Sequence, residues 1–130
     1  LLQPALTEWT KQFDRRRVLA WSALLMGAGF ALHGISSLIA VHAGAVAVWT
    51  LGEIFNSPSA SSLVADLAPP HARGRYGGFY AMGWGLASCL APIFGPRVLA
   101  VSPALLWGGC AGLGVICAIG YRAMKDVPRS

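Results

Sequence analysis

Three stretches of the chain carry no Asp, Glu, Lys or Arg: residues 18–52, 76–96 and 98–121, of 35, 21 and 24 residues. A helix across the hydrocarbon core of a bilayer needs about 20 apolar residues. A helix on a water-soluble globule shows a solvated charged face, and none interrupts these stretches. The first is too long for one span. At 1.5 Å per residue it would reach about 52 Å, against a core of about 30 Å. It must turn, and Ala40, Val41, His42, Ala43 and Gly44 are the expected place. The Pro69-Pro70 pair is a strong stop, and Pro96, Arg97, Ser102 and Pro103 mark a further turn. The pattern predicts an all-α, polytopic membrane protein with four membrane helices, over about residues 18–40, 45–67, 75–95 and 104–122. Residues 1–17 read as the end of a preceding apolar helix and a basic loop, and 123–130 as a tail.

Composition agrees. Hydrophobic residues make up 55% of the 130, and only 12% are charged, about half the share of a soluble domain. A water-soluble enzyme, a secreted disulfide scaffold and a disordered tail are excluded on these grounds. The net charge of +5 comes from basic residues in short clusters beside the apolar stretches. No aromatics are interleaved with them as stacking platforms, so a nucleic-acid partner is not indicated. The clusters instead set orientation. With the N-terminal segment inside, Lys11, Arg15, Arg16, Arg17, Arg73, Arg75, Arg122, Lys125 and Arg129 all lie inside, and only Arg97 lies outside. That asymmetry is a strong positive-inside signal and places both ends in the cytoplasm. Trp49 and Trp107 are expected near the outer helix ends, Trp21 and Tyr121 near the inner ones. Cys89, Cys110 and Cys117 fall inside apolar stretches without a CxxC pair, which points to neither a disulfide nor a metal site. The opening Leu1-Leu2-Gln3-Pro4-Ala5-Leu6 has no initiator Met and no signal-peptide layout, so the chain is expected to be the C-terminal part of a larger protein.

Glu53 is the most informative residue. On the expected helix it sits about 12 Å from the outer end and about 20 Å from Asp66, well inside the membrane. A carboxylate there costs several kcal/mol unless paired, protonated or wetted. Glu53, Asn56, Ser57, Ala60 and Ser61 recur at spacings of three and four and form one stripe, with Pro58 freeing a backbone carbonyl in the same turn. This describes a carboxylate that titrates or contacts substrate in a transport cavity. The alternative is a protonated Glu that only bonds a neighbouring helix. His33, beside Ser36 and Ser37, is a second candidate, either bonding Glu53 or substrate or simply packing near the outer interface. His42 and His71 are expected in loops. Gly77, Ala81 and Gly85 in the third helix, and Gly108 with Gly112 and Cys110 with Gly114 and Ala118 in the fourth, suit tight packing in lipid. No phosphate loop, metal-ligand cluster or nucleophile–base set is present, so neither a cofactor nor an enzyme is indicated.

Three segments together resemble the C-terminal half of a major facilitator superfamily transporter. Phe13-Asp14-Arg15-Arg16-Arg17-Val18-Leu19 is similar to the basic loop between the eighth and ninth helices, commonly a DRxGRR-type pattern. Lys11 and Gln12 stand where that motif has Asp and Arg, and Asp14 where it has Gly, leaving a basic anchor. Leu67-Ala68-Pro69 followed by Ala72-Arg73-Gly74-Arg75-Tyr76-Gly77-Gly78 resembles the loop between the tenth and eleventh helices. Gly83-Trp84-Gly85 with Ala91-Pro92-Ile93-Phe94-Gly95-Pro96 resembles the Gly/Pro-rich eleventh helix, and Gly52-Glu53-Ile54 with Pro58 the tenth helix of drug/proton antiporters. The resemblance implies the end of helix eight and helices nine to twelve. It implies alternating access by rocking of two six-helix halves. It further implies efflux of small molecules or drugs coupled to protons, and location in the cell (inner) membrane. The implied partners are the lipid bilayer, the missing N-terminal helices, a small-molecule substrate and protons.

Two other readings fit the composition: a stand-alone four-helix dimeric exporter built on one membrane Glu, and a non-transporting membrane scaffold. The orientation makes its own prediction. In a background lacking Cys89, Cys110 and Cys117, a cysteine at position 97 is labelled by an impermeant maleimide added outside. One at position 16 or 73 is not, and the reverse pattern eliminates this orientation.

Overall fold

The structure, a computed structural model, describes residues 14–35 and 37–124. The expected tail of a preceding helix, Lys11, Ser36, Lys125 and Arg129 lie outside the described residues. The described residues are all-α and form four helices: α1 (Arg15–His33), α2 (Ile39–Leu67), α3 (Arg73–Val101) and α4 (Pro103–Ala123). A single 3₁₀ turn, Pro70–Ala72, joins α2 to α3. α2, α4 and α3 with its leading turn are each long and apolar enough to cross a membrane. α1 has 19 residues and opens with three arginines, which leaves an apolar part of about 24 Å.

The helix bounds differ from the expected ones in two places. α1 stops at His33 instead of running to Ala40. Gly34 caps it, its N–H donating to the carbonyls of Ala31 and Leu32, and Leu38 is already extended before α2 begins at Ile39. Gly34 and the serine at 37 were the stronger turn signal, because serine competes for backbone hydrogen bonds. His42 therefore belongs to the first turns of α2 and not to a loop. The second difference is α3, which runs unbroken through Pro92, Pro96 and Arg97. Each proline removes one hydrogen bond of the ladder, freeing the Ser88 and Pro92 carbonyls, without ending the helix. The stop comes at Ser102, which is extended as residues before proline tend to be. Its hydroxyl accepts from the Leu105 N–H at 3.2 Å and caps α4, with Pro103 in the first helical position.

α1 lies antiparallel to both α2 and α4 and packs extensively on each, whereas α3 touches α2 and α4 only sparsely. Small residues make this packing close. An added Cβ on Gly52 of α2 would stand 2.8 Å from the Ser22 carbonyl and 2.9 Å from the Met26 N. One on Gly114 of α4 would stand 2.9 Å from the Gly27 Cα and 2.8 Å from the Ala23 carbonyl. Both crossings are backbone against backbone. Ala20, Ala23 and Ala118 are buried beside the second, and Leu19, Ala60 and Leu63 form a small cluster between α1 and α2 with Tyr80, Tyr121 and Met124 against it. In α4 the structure uses Gly114 and Ala118, while Gly108 and Gly112 face open space. Gly74, Gly77, Gly78, Gly83, Gly85 and Gly95 of α3 likewise have nothing within 4 Å of an added Cβ. The expected tight packing through the α3 glycines is thus not made among the described residues, and no residue of α3 is buried. Trp49, expected at the outer helix end, is about 15 Å into α2 and stacks on Phe30 of α1 at a centroid distance of 6.0 Å.

The two glycine rows predict different mutational costs. Gly114→Leu drives a side chain into the α1 backbone and should lower stability in micelles by about 1–3 kcal/mol or more. Gly112→Leu, facing open space, should leave the unfolding midpoint nearly unchanged.

Candidate functional site

The start of α2 at Ile39 changes the depth of Glu53. With 14 residues on either side, it is the central residue of a 29-residue helix, about 21 Å from each end. It lies deeper than the sequence suggested, and its side chain is half-buried. Pro58, inside the same helix, lacks the N–H that would bond the Ile54 carbonyl, which leaves an oxygen acceptor next to Glu53.

The polar stripe of α2 splits in two. Ala45, Gly52, Ser59, Ala60 and Leu63 are buried and recur at spacings of three and four, which defines the line facing α1. Asn56 lies on that line. The hydroxyl of the fully buried Ser22 shares its one proton between the Leu19 carbonyl at 2.8 Å and the Asn56 Oδ1 at 3.4 Å. Glu53, Ser57 and Ser61 fall on a separate row, with Glu53 turned about 70° from the centre of the α1 contact. Ser57 and Ser61 are exposed, and Ser61 donates back to the Ser57 carbonyl at 2.9 Å. Glu53 makes no hydrogen bond or ion pair among the described residues.

His33 is not near Glu53. It ends α1, with its ring against His42 at a centroid distance of 5.0 Å and against Trp107 of α4 at 5.1 Å. His42 precedes Glu53 on α2 by about 16 Å. The His33–Glu53 hydrogen bond considered from the sequence is therefore not formed. A group of His33, His42 and Trp107 closes this end of the bundle, where an added Cβ on Gly34 would meet Trp107 at 3.1 Å. Sequence reasoning missed His42 because the turn was placed six residues late.

The opposite end is organised by the arginine run. Asp14 caps α1 by accepting the Arg16 N–H at 3.1 Å, and its other carboxylate oxygen takes the Arg16 guanidinium at 3.1 Å. Slight burial pushes the Asp14 carboxyl up. The two Arg16 hydrogen bonds and the charges of Arg16 and Arg17 outweigh this and hold it below its ordinary 3.8. Arg15 pairs with Asp66 near the end of α2. Arg16 also donates to the Met124 carbonyl beyond α4. The run thus ties α1 to α2 and to α4 through successive residues, and this is more than a basic anchor. Arg73 begins α3 and is exposed, as is Gly74. An apolar cleft of about 430 Å³ opens beside them, lined by Val64, Leu67, Arg75, Tyr76, Phe79 and Tyr80. No group of three or more His, Cys, Asp or Glu able to hold a metal occurs among the described residues.

Apolar helices of membrane length, a mid-helix carboxylate and an arginine run clasping helix ends leave the family to be settled by comparison. The sequence profile of the Major Facilitator Superfamily matches residues 1–130. The chain belongs to the major facilitator superfamily. It is 30% identical over 93 residues to a protein named Na(+), Li(+), K(+)/H(+) antiporter from Planococcus maritimus, covering 72% of this chain and 22% of that protein. It is 28% identical over 102 residues to the uncharacterized MFS-type transporter YhjO from Bacillus subtilis (strain 168), covering 76% of this chain and 25% of that protein. The chain thus spans about a quarter of the length of these relatives. No solved structure matches. Membership, together with helices of membrane length, makes this part of an integral, multi-pass membrane protein.

The Asp14 cap gives a pH test. Because its carboxyl titrates lower in the folded state, its charge stabilises fully above the unfolded value and is lost as pH falls through the lowered one. Asp14→Ala should cost about 1 kcal/mol at pH 7. Asp14→Asn keeps the cap without the charge, so its smaller deficit at pH 7 should close in acid as the wild-type carboxyl protonates.

Proposed function

We propose that this chain is the ninth-to-twelfth-helix part of a secondary active transporter that exports small molecules or drugs in exchange for protons, with Glu53 as the group that carries the proton or contacts the substrate. The observation that supports this most is the position of Glu53. A carboxylate at the centre of a membrane-length helix is expensive in hydrocarbon. Its cost falls only where water, a proton or a polar substrate reaches it. The row it shares with Ser57 and Ser61 is turned away from α1, and the acceptor freed by Pro58 lies beside it. Asn56 has a positioning role in this reading, since its contact with Ser22 sets the rotation of α2 and hence where Glu53 points. His33 stands at the end away from the arginine run, which is the outer rim in this reading. The uncovered α3 is the face that would meet the remaining helices of the transporter, whose two halves rock about the site. The arginine end lies in the cytoplasm of a cell-membrane protein in this reading, following the asymmetry of basic residues.

A second reading concerns the substrate. The Planococcus maritimus relative is named as an antiporter of sodium, lithium and potassium against protons. A carboxylate with a free carbonyl and nearby hydroxyls is an oxygen set that suits a hard cation. Proton and alkali cation would then occupy Glu53 alternately.

One variant tests both readings in everted vesicles holding the full-length protein. Glu53→Gln should insert and accumulate like the wild type yet lose proton release upon addition of substrate. Wild-type release triggered by sodium or potassium salts favours the cation reading, and release triggered only by organic compounds favours the drug reading. Unchanged transport by the Gln variant across a range of pH eliminates Glu53 from both.

A further inference from the structure

At the arginine end, the charges of α1 are not equally engaged. Arg15 pairs with Asp66, and Arg16 with Asp14 and the Met124 carbonyl. Arg17, whose charge reaches Asp14 only at longer range, and Arg122 near the end of α4 are exposed and make no hydrogen bond or ion pair among the described residues. Two hollows open where α1 and α4 run side by side, and Arg17 and Arg122 line both. One, of about 220 Å³, is otherwise lined by Asp14 and Arg16. The other, of about 300 Å³, continues between the helices over Ala20, Trp21 and Leu24. Arg17 and Arg122 thus line both a mainly polar hollow and an adjoining one with a more apolar lining.

We propose that this groove is a binding site for an anionic glycerophospholipid, its phosphate held between Arg17 and Arg122 and an acyl chain laid along Ala20, Trp21 and Leu24. Guanidinium is a planar fork that matches phosphate oxygens two at a time. The Asp14 carboxylate would repel an anion, but it is occupied by Arg16 and lies on the polar side. The phosphate therefore seats toward the apolar hollow. Trp21 is 66% exposed and Leu24 36%, so the groove opens sideways to the surroundings of the bundle, which are hydrocarbon in a membrane protein. An indole at such a boundary meets the headgroup with its N–H and the chain with its ring. A free phosphate would need only the polar hollow. The apolar continuation over Ala20, Trp21 and Leu24 is what selects a lipid. This inference does not depend on what the protein transports.

The test titrates delipidated full-length protein in detergent with phosphatidylglycerol, counting bound lipid by native mass spectrometry, with phosphatidylcholine as the neutral control. The double variant Arg17→Gln, Arg122→Gln should bind phosphatidylglycerol roughly thirtyfold more weakly with phosphatidylcholine unchanged. The charge-matched Arg73→Gln, Arg75→Gln protein should bind like the wild type. Trp21→Ala should weaken the same adduct without any change of charge. If the glutamine pair fails to insert, Arg17→Lys with Arg122→Lys keeps the charge and loses the fork, and should still bind more weakly than wild type. Equal loss in both Gln doubles, or full binding by the Arg17 and Arg122 variant, overturns the site. So does displacement of the lipid by equimolar inorganic phosphate, which would mark a pocket for free anions.

Discussion

The close approach of α1 to α2 and α4 is the constraint on which the rest depends. In a bilayer, lipid tails solvate leucine as well as a neighbouring helix does, so apolar area does little to hold helices together. What remains is van der Waals contact between backbones, and this needs residues without bulk. Gly52 against Ser22 and Met26, and Gly114 against Gly27, supply it on two sides of one helix. α1 is the least apolar and shortest of the four described helices, yet it is the one on which α2 and α4 pack. Its placement fixes the rotation of α2, and with it the direction in which Glu53 leaves the helix.

Electrostatics completes what packing begins. The charged groups that join helices are gathered at one end, where Asp14, Arg15, Arg16 and Asp66 link the start of α1 to the end of α2, and Arg16 reaches beyond α4. Such links tolerate water and hold the helix ends in register. At the other end the contacts are rings, His33 with His42 and Trp107. Between the two lies a stretch in which Glu53 is the only charged side chain of α2 before Asp66. Glu53 has no hydrogen-bond or ion-pair partner among the described residues, which is the isolation the proposed transport role calls for.

The sequence by itself determined the class of the protein and most of its architecture. Charge-free stretches of membrane length and the Pro69-Pro70 stop report requirements of the bilayer, which acts on each helix separately and is therefore readable one segment at a time. Glu53 was legible for the same reason, since the cost of a mid-membrane carboxylate is local. Tertiary structure decided the rest. It moved the first turn back to Gly34, because a glycine that admits Trp107 ends α1 there, and so brought Glu53 to the centre of its helix and His42 to His33. It separated Asn56 from Glu53, and chose Gly114 over Gly112, because helical spacing places residues on rows but does not say which row meets a neighbour. The partner of Arg15, 51 residues away at Asp66, had no local sign. Which row is covered depends on helices distant in sequence, and only their assembly in space supplies that information.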